Sequence, residues 1–423
     1  MDATYSVVLA LLFGWGLCSR RVAKTELTAP VVFVLVGFLM HQGFGEVGLA
    51  PSREAVKALA ETTLTWVLFT DAARLSFPSL RPDAALYLRL LGIGLPLCIG
   101  LGTLVAVGLL PGVTAWAALY VGAALAPTDA ALGASMMTNP VVPARIRRAV
   151  NVESGLNDGI ATPFVALALA GVAAAEAGTG HHSDSGGALL ELLIGIGYGT
   201  SLGLAAGRLL RRALRRGWAA EEFAVTAVLA LALLSYTSSI ALGGNGFVAA
   251  FVAGLGFGTA YGEGAPEWQL RFTEQSASAL SLLVWLAFGA VLLPAAIPHL
   301  TWQALVYAVL SLTVLRMVPV ALALLGSGLD RGTVLFIGWF GPRGLASVIF
   351  GLLAVEELDA SAARAVVPVV VCTVLLSVLA HGATSGPLAR RYGAAASARA
   401  PDRHRTVDEL PVRSLAAGHH RRK

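Results

Sequence analysis

Stretches of about 20 mostly apolar residues, separated by short polar loops, recur along the whole chain. A stretch of this length crosses the hydrocarbon core of a bilayer as one α-helix. Within hydrocarbon every backbone N–H and C=O needs a partner inside the protein, so helices and closed barrels are the folds that span a membrane. Only 13% of the 423 residues are charged, where a soluble domain carries about 25%. The sequence therefore predicts an all-α polytopic membrane protein.

Apolar windows bounded by charges, prolines and glycines predict thirteen transmembrane helices. We expect residues 1–387 to form the membrane domain and the polar segment 388–423 to form a disordered cytoplasmic tail. Within the domain we expect two inverted six-helix repeats, at about 4–176 and 220–387, joined by a linker helix at about 188–210. The expected helices span 4–18, 27–44, 59–77, 86–108, 113–138, 146–176, 188–210, 220–240, 245–262, 273–296, 301–326, 332–355 and 364–387.

The positive charges of the loops predict how the chain is oriented. With the N-terminus outside, three basic residues (Arg53, Lys57 and Arg364) fall in outer loops, and many more fall in inner loops. This asymmetry is typical of a multi-pass protein of the cell membrane with a cytoplasmic C-terminus, and it explains the net charge of +5 without nucleic acid. The inner-loop residues are Arg20, Arg21, Lys24, Arg81, Arg145, Arg147, Arg148, Arg208, Arg211, Arg212, Arg215, Arg216, Arg271 and Arg331.

Two of the expected helices contain sequences that interrupt a helix. The fifth contains "APTDAALG" and the twelfth contains "FGPRGLAS", at matching places in the two halves. Pro127 lacks a backbone donor and frees an upstream carbonyl, which can then face a cation or water. Interrupted helices at matching places in inverted repeats indicate a transporter's binding site near the midplane. We therefore expect helices 5 and 12 to be broken and to cross.

Ionisable residues in the middle of apolar runs indicate function, because each costs a few kcal/mol to place in hydrocarbon. Glu153 and Asn157 are four residues apart, as are Ser154 and Asp158, so each pair lies on one part of the helix surface. Their oxygen atoms favour Na⁺, K⁺ or Li⁺ over a soft metal. The mid-membrane ionisable residues are Asp129, Glu153, Asp158, Arg316 and Arg343, with Asp71 and Arg74 nearer the inner end of helix three.

The charges suggest a division of roles among these residues. Arginine stays protonated, and a buried arginine is tolerated when a carboxylate pairs with it, so Glu153 is the expected partner of Arg316. That leaves Asp129 and Asp158 without an obvious counter-ion. A carboxylate in a low-dielectric site is either protonated or cation-bound near neutral pH. A site that must release H⁺ to accept a cation is an exchanger.

These motifs together resemble the NhaP-type branch of the monovalent cation:proton antiporters, which includes the eukaryotic sodium–hydrogen exchangers. The resemblance rests on "TDAALG", "ESGLND", the mid-helix Arg316 and "GPRG", in that order. It implies that Asp158 binds a cation and a proton alternately. It further implies that the Thr128 carbonyl and the Ser154 hydroxyl are cation ligands, and that Asn157 and Asp158 form the family's Asn-Asp pair. Asp129 would act through water or orient the crossing, which Arg343 would support. Glu153 would form an ion pair with Arg316, and Asp71 is a candidate member of the site.

Two details bear on the subtype. The branch often has proline after the helix-five Asp, whereas Ala130 stands here, which leaves the choice among Na⁺, K⁺ and Li⁺ open with Na⁺ expected first. Electrogenic relatives carry Asp-Asp on helix six and a membrane lysine. This chain has Asn157-Asp158 and only three lysines (Lys24, Lys57 and Lys423), none in mid-membrane, so we expect electroneutral exchange.

Other functions remain as alternatives. A K⁺/H⁺ antiporter fits the same residues, and a transporter of the same architecture for an organic anion would favour a compensating positive charge in its pocket. An enzyme or ATP-driven pump is disfavoured, since the chain has no G-x-x-x-x-G-K-[ST] and no H-E-x-x-H motif. We expect no cofactor, and as partners the cation, H⁺, membrane lipid and a second copy in a homodimer.

Overall fold

The computed structural model describes residues 3–22, 28–44, 52–75, 80–137, 139–176, 185–262 and 264–399. Across these ranges the chain is helical, and no strand occurs in them. We label the helices by chain order and give both halves of a broken helix one number. The helices are α1 (Ala3–Val22), α2 (Ala29–Phe44), α3 (Arg53–Ala73), α4 (Arg81–Leu109), α5a (Ala115–Ala124), α5b (130–137), α6 (Ala144–Glu176), α7 (Ser185–Arg215), α8 (Glu221–Ala241), α9 (Gly246–Tyr261), α10 (Glu267–His299), α11 (Trp302–Ala323), α12a (Arg331–Trp339), α12b (Leu345–Glu357) and α13 (Ala360–Arg399).

Seven helices in the described ranges are long and apolar enough to cross a membrane, namely α4, α6, α7, α8, α10, α11 and α13. Shorter apolar helices lie among them, including α2, α5a and α9. The chain is thus an all-helical multi-pass membrane protein, as the sequence predicted. The inverted relation of the two halves stays a prediction.

Polar residues at the helix ends explain where several helices begin. Ser52 accepts a hydrogen bond from Ala55 N at 3.2 Å and starts α3, six residues before the expected start at 59. Helix α10 starts at Glu267, also six residues earlier than the expected 273. Both first turns contain charged residues. A search for apolar windows leaves such residues out of the predicted helix, but the end of a helix in water can contain them.

Both interrupted helices are broken in the structure. Helix α5a ends at Ala124 and helical structure resumes at Ala130, while α12a ends at Trp339 and α12b starts at Leu345. A third interruption, which we did not predict, lies at Thr313 within α11, where the backbone has φ −112° and ψ −91°. It lies three residues before Arg316 and therefore alters the helix that carries this arginine.

The last helix corrects the expected boundary of the tail. We expected helix thirteen to end at 387, but α13 continues to Arg399, so 388–399 is helical. Tyr392 stacks on Phe336 of α12a with ring centroids 4.0 Å apart, and its hydroxyl lies 2.9 Å from the Thr333 hydroxyl. These contacts give the added turns an aromatic partner on α12a. Residues 400–423 lie outside the described ranges.

The largest apolar core surrounds the broken helices. It contains buried residues of α3, α5a, α10, α12b and α13, and it includes Tyr120, whose hydroxyl donates to the Phe350 carbonyl. Peripheral helices pack closely through small residues. A side chain at Gly203 of α7 would collide with the Ala253 backbone of α9, so this approach requires glycine.

Candidate functional site

The unwound segments of helices 5 and 12 satisfy each other's backbone groups. Asp129 N donates to Pro342 O at 2.7 Å. The Asp129 carboxylate accepts from Leu345 N through Oδ2 at 3.1 Å and from Ala131 N through Oδ1 at 2.9 Å. One side chain therefore caps the starts of both α12b and α5b, where unpaired N–H groups favour a negative charge.

Whereas Asp129 accepts hydrogen bonds from backbone N–H groups, Arg343 donates hydrogen bonds to backbone carbonyl groups. Its Nη1 donates to Ala126 O and, at 3.2 Å, to Pro127 O, just beyond the C-terminal end of α5a. Its Nη2 donates to Ser311 O at 3.2 Å, beside the interruption in α11. The residue is 1% exposed. A fixed positive charge thus serves carbonyls left without helical partners at two breaks, where the helix dipole favours a cation.

Two polar side chains of α6 hold the break of helix 5 from the other side. Asn157 Nδ2 donates to Thr128 Oγ1 at 2.7 Å, and the Ser154 hydroxyl lies 3.0 Å from the same oxygen. All three residues are buried. These bonds tie the unwound segment to the helix that carries Asp158.

Glu153 and Arg316 form a buried ion pair between α6 and α11. Arg316 Nη1 donates to Glu153 Oε1 at 2.5 Å, and the two side chains are 2% and 1% exposed. Each charge neutralises the other, which a low-dielectric interior requires. This is the pairing that the sequence predicted.

A cavity of about 70 Å³ lies between the C-terminal end of α3, the start of α5b, α6 and α12b. It brings together three carboxylates and two hydroxyl side chains, which are hard oxygen groups suited to a monovalent cation. Among the described residues no three His, Cys, Asp or Glu side chains are close enough to hold one metal ion together. The cavity is lined by Asp71, Arg74, Leu75, Thr128, Asp129, Ala130, Ala131, Asn151, Ser154, Gly155, Asp158 and Leu345.

The structure separates the predicted site residues into two groups. One group lines the cavity, and the other supports it from outside through hydrogen bonds or an ion pair. The lining residues are Asp71, Thr128, Asp129, Ser154 and Asp158, and the supporting residues are Asn157, Glu153, Arg316 and Arg343.

Sequence reasoning missed three supporting contacts. Arg74 makes an ion pair with Glu274 of α10. His381 Nε2 lies 2.9 Å from Trp339 O at the end of α12a, and Ser377 Oγ accepts from Arg343 N at 2.7 Å. Ser377 and His381, two polar residues four positions apart in an apolar run, were the signal for the two contacts of α13. The Arg74–Glu274 pair had no local signal in the sequence.

A family model described as the transmembrane sodium/hydrogen exchanger matches residues 7–391. The chain belongs to the sodium/hydrogen exchanger family. This confirms the resemblance found in the motifs of helices 5, 6, 11 and 12.

Curated relatives of this exchanger-family chain carry two different cations in their names. A probable Na⁺/H⁺ antiporter of Schizosaccharomyces pombe is 26% identical over 272 residues, which cover 59% of this chain and 35% of that protein. The K⁺/H⁺ antiporter NhaP2 of Shewanella sp. strain ANA-3 is 28% identical over 278 residues, which cover 64% of this chain and 46% of that protein. The chain therefore spans less than half the length of either relative.

A solved structure shares the fold over most of its length. The sodium proton antiporter MjNhaP1 of Methanocaldococcus jannaschii matches with a TM-score of 0.75 and 17% identity, covering 92% of this chain and 98% of that one. At this identity the likeness concerns the fold alone.

Proposed function

We propose that the protein is a secondary antiporter that exchanges a monovalent cation for H⁺ at Asp158. The observation that carries the proposal is the cavity in which Asp158 and Ser154 of α6 face Thr128 and Asp129 of the helix-5 break. A carboxylate among hydroxyl and carbonyl oxygens binds either a proton or a dehydrated cation, because each of them neutralises the same negative charge. Competition of two ions for one group is the basis of exchange.

The roles of the remaining residues follow from their contacts. Asp129 already accepts two backbone N–H groups, so it orients the crossing and contributes its charge to the cavity. Asn157 and Ser154 engage the Thr128 hydroxyl, so we assign the role of cation ligand to the Thr128 carbonyl. Asp71 on α3 lines the same cavity and is a further candidate member of the site. The Glu153–Arg316 pair and Arg343 stay ionised and hold the helices.

The place of the cavity favours a conformation open to the cytoplasm. Its lining includes Arg74 and Leu75 at the end of α3 and Asn151 in the second turn of α6. In the predicted orientation, α3 starts outside and ends inside, so these residues lie on the cytoplasmic side. Alternating access would then carry the same site to the outer face by movement of one helical group against the other.

Na⁺ is our first expectation for the cation, and K⁺ is a second candidate that the names of the Shewanella relatives favour. Both are bound by hard oxygen ligands, and their discrimination depends on how many oxygens surround the ion. The organic-anion alternative fits less well, because the cavity contains three carboxylates and one arginine.

The test is cation-driven proton movement by the purified full-length chain in proteoliposomes with an acidic interior and a pH-sensitive dye. Addition of NaCl, KCl or LiCl in separate runs should alkalinise the interior, whereas choline chloride should not. An Asp158→Asn protein should give no response to any cation. If none of the three cations moves protons through a folded wild-type protein, the proposed function is wrong.

A further inference from the structure

Arg74 lines the same cavity as the carboxylates but binds a residue outside the lining. It lies directly after α3, three residues beyond Asp71, and is the one arginine among the lining residues. Its Nη2 makes an ion pair with Glu274 Oε2 on α10. The two side chains are only 15% and 27% exposed, so the electrostatic attraction between them is stronger than between two charges in bulk water.

The main chain at Arg74 is fixed by close backbone packing. Ala265 N donates to Ala73 O at 2.9 Å. A side chain at Gly264, which has φ +96°, would collide with the Arg74 carbonyl, and one at Gly258 would collide with the carbonyls of Ala73 and Leu75. The backbone cannot move away from the cavity, so the direction of the guanidinium depends on which carboxylate the side chain binds.

Two sets of carboxylates compete for this guanidinium. Glu274 and the nearby Glu267 lie on α10, while Asp71 lies on the cavity side, and each is within electrostatic range of Arg74. Arginine stays positively charged at every relevant pH. When directed at Asp71, the guanidinium would occupy part of the space and charge that a monovalent cation uses. When held by Glu274, it makes its ion pair outside the cavity lining and takes up less of that space.

We propose that Glu274 is a positioning residue that holds Arg74 away from the cation site and thereby sets the apparent cation affinity of the cavity. Arg74 is then a tethered cation that competes with the transported one whenever the ion pair with Glu274 opens. This inference rests on the proposed antiport function. It assigns a role to α10, which contributes no side chain to the cavity lining.

The experiment compares Glu274→Gln, Arg74→Gln and the double variant with wild type in proteoliposomes, with Na⁺ and K⁺ tested separately. Glu274→Gln should raise the apparent KM for the cation by about tenfold, as expected for one partly screened unit charge, with a smaller effect on the maximal rate. Arg74→Gln should have an apparent KM equal to or below that of wild type. The double variant should recover the affinity, because the competing charge is gone.

A matched control is Asp83→Asn, which removes one carboxylate from the Arg145–Asp83 ion pair without involving a cavity residue. It should keep the wild-type KM. Cation-dependent thermal stabilisation in detergent gives a second readout that needs no transport, and Glu274→Gln should need more cation for the same stabilisation.

A wild-type KM in Glu274→Gln would overturn the proposal, and so would a double variant that binds cations as weakly as Glu274→Gln alone. A raised KM in Arg74→Gln would likewise show that the pair only holds α3 and α10 together. These outcomes all presuppose exchange by wild type. If wild type moves no protons with any cation, the proposed function fails instead, and the two failures are distinguishable.

Discussion

Asp158 and Ser154 line the cavity one helical turn apart on α6, while the residue beside each of them faces elsewhere. Glu153 turns to Arg316, and Asn157 turns to Thr128. The four polar residues of this motif thus separate into two that line the cavity and two that bind neighbouring helices. At the residue scale, the chemistry should depend on Asp158, and stability should depend on Glu153.

We predict that Asp158→Asn abolishes cation-driven proton flux and leaves a folded protein. Asparagine keeps the shape of the side chain but neither releases a proton nor neutralises a cation. Dye-based flux in proteoliposomes measures the loss, and an unchanged elution volume and Tm in detergent establish folding. Asp83→Asn is the control for loss of one carboxylate. Wild-type flux through purified Asp158→Asn would reject its assignment.

We predict that Glu153→Ala and Arg316→Ala each lower stability by about 3–5 kcal/mol, because removal of one partner strands the other charge in a buried place. Both side chains are almost fully buried, which leaves little water to solvate the remaining charge. Thermal unfolding in detergent measures the effect, with Lys57→Ala as the control, since the Lys57–Glu357 pair is well exposed. Unchanged melting of both variants would count against the pair.

At the scale of elements, the breaks of helices 5 and 12 are joined by direct contact between two unwound segments. The Asp129 carboxylate lies against the backbone that starts α12b, and a side chain at Gly344 would collide with it. Arg343 donates to the carbonyls of the helix-5 break at the same contact. Each unwound segment thus provides hydrogen-bond partners for backbone groups of the other.

We predict that Gly344→Ala destabilises the protein by about 1–3 kcal/mol and weakens cation affinity, since the added methyl group forces Asp129 to move. Tm in detergent and the apparent KM in proteoliposomes measure the two effects. Gly382→Ala on α13 is the matched control, because a side chain there meets no atom within 4 Å. A Gly344→Ala protein with wild-type Tm and KM would show that the contact between the two unwound segments tolerates a movement of Asp129.

At the scale of the whole molecule, the number of charges that change during the proposed antiport cycle decides whether exchange generates a current. Asp158 is neutral when protonated and neutralised when a monovalent cation is bound, so the loaded site has the same net charge in both states. The Glu153–Arg316 pair and Arg343 keep their charges throughout. One ion of each kind should therefore cross per cycle.

We predict that exchange generates no sustained current and that the apparent cation affinity weakens as the pH falls, because H⁺ competes for the same carboxylate. Current recorded on a solid-supported membrane, with and without valinomycin, tests the stoichiometry. Flux measured at several pH values tests the competition. A sustained transport current would reject the electroneutral cycle while leaving antiport itself intact.

The sequence by itself determined the class of fold and most of the site. Apolar length predicted the membrane helices, Pro127 and "GPRG" predicted the two breaks, and the spacing within "ESGLND" predicted which α6 residues act together. These are local properties, since hydrophobicity, helical periodicity and the effect of proline act over a few residues. The same locality explains why charged first turns shifted the predicted starts of α3 and α10.

Apart from the Glu153–Arg316 pair, which the sequence predicted, only the tertiary structure decided which distant groups meet. Glu274 follows Arg74 by 200 residues, and only the packing of α10 beside α3 makes them partners. The capping of two helices by Asp129, the Arg343 bond to Ser311 O and the contact of Tyr392 with Phe336 arise in the same way. A buried charge takes whichever complementary group the folded chain brings nearest, because the low-dielectric interior makes an unpaired charge costly. Which group pairs with a given buried charge therefore depends on the packing of the whole protein.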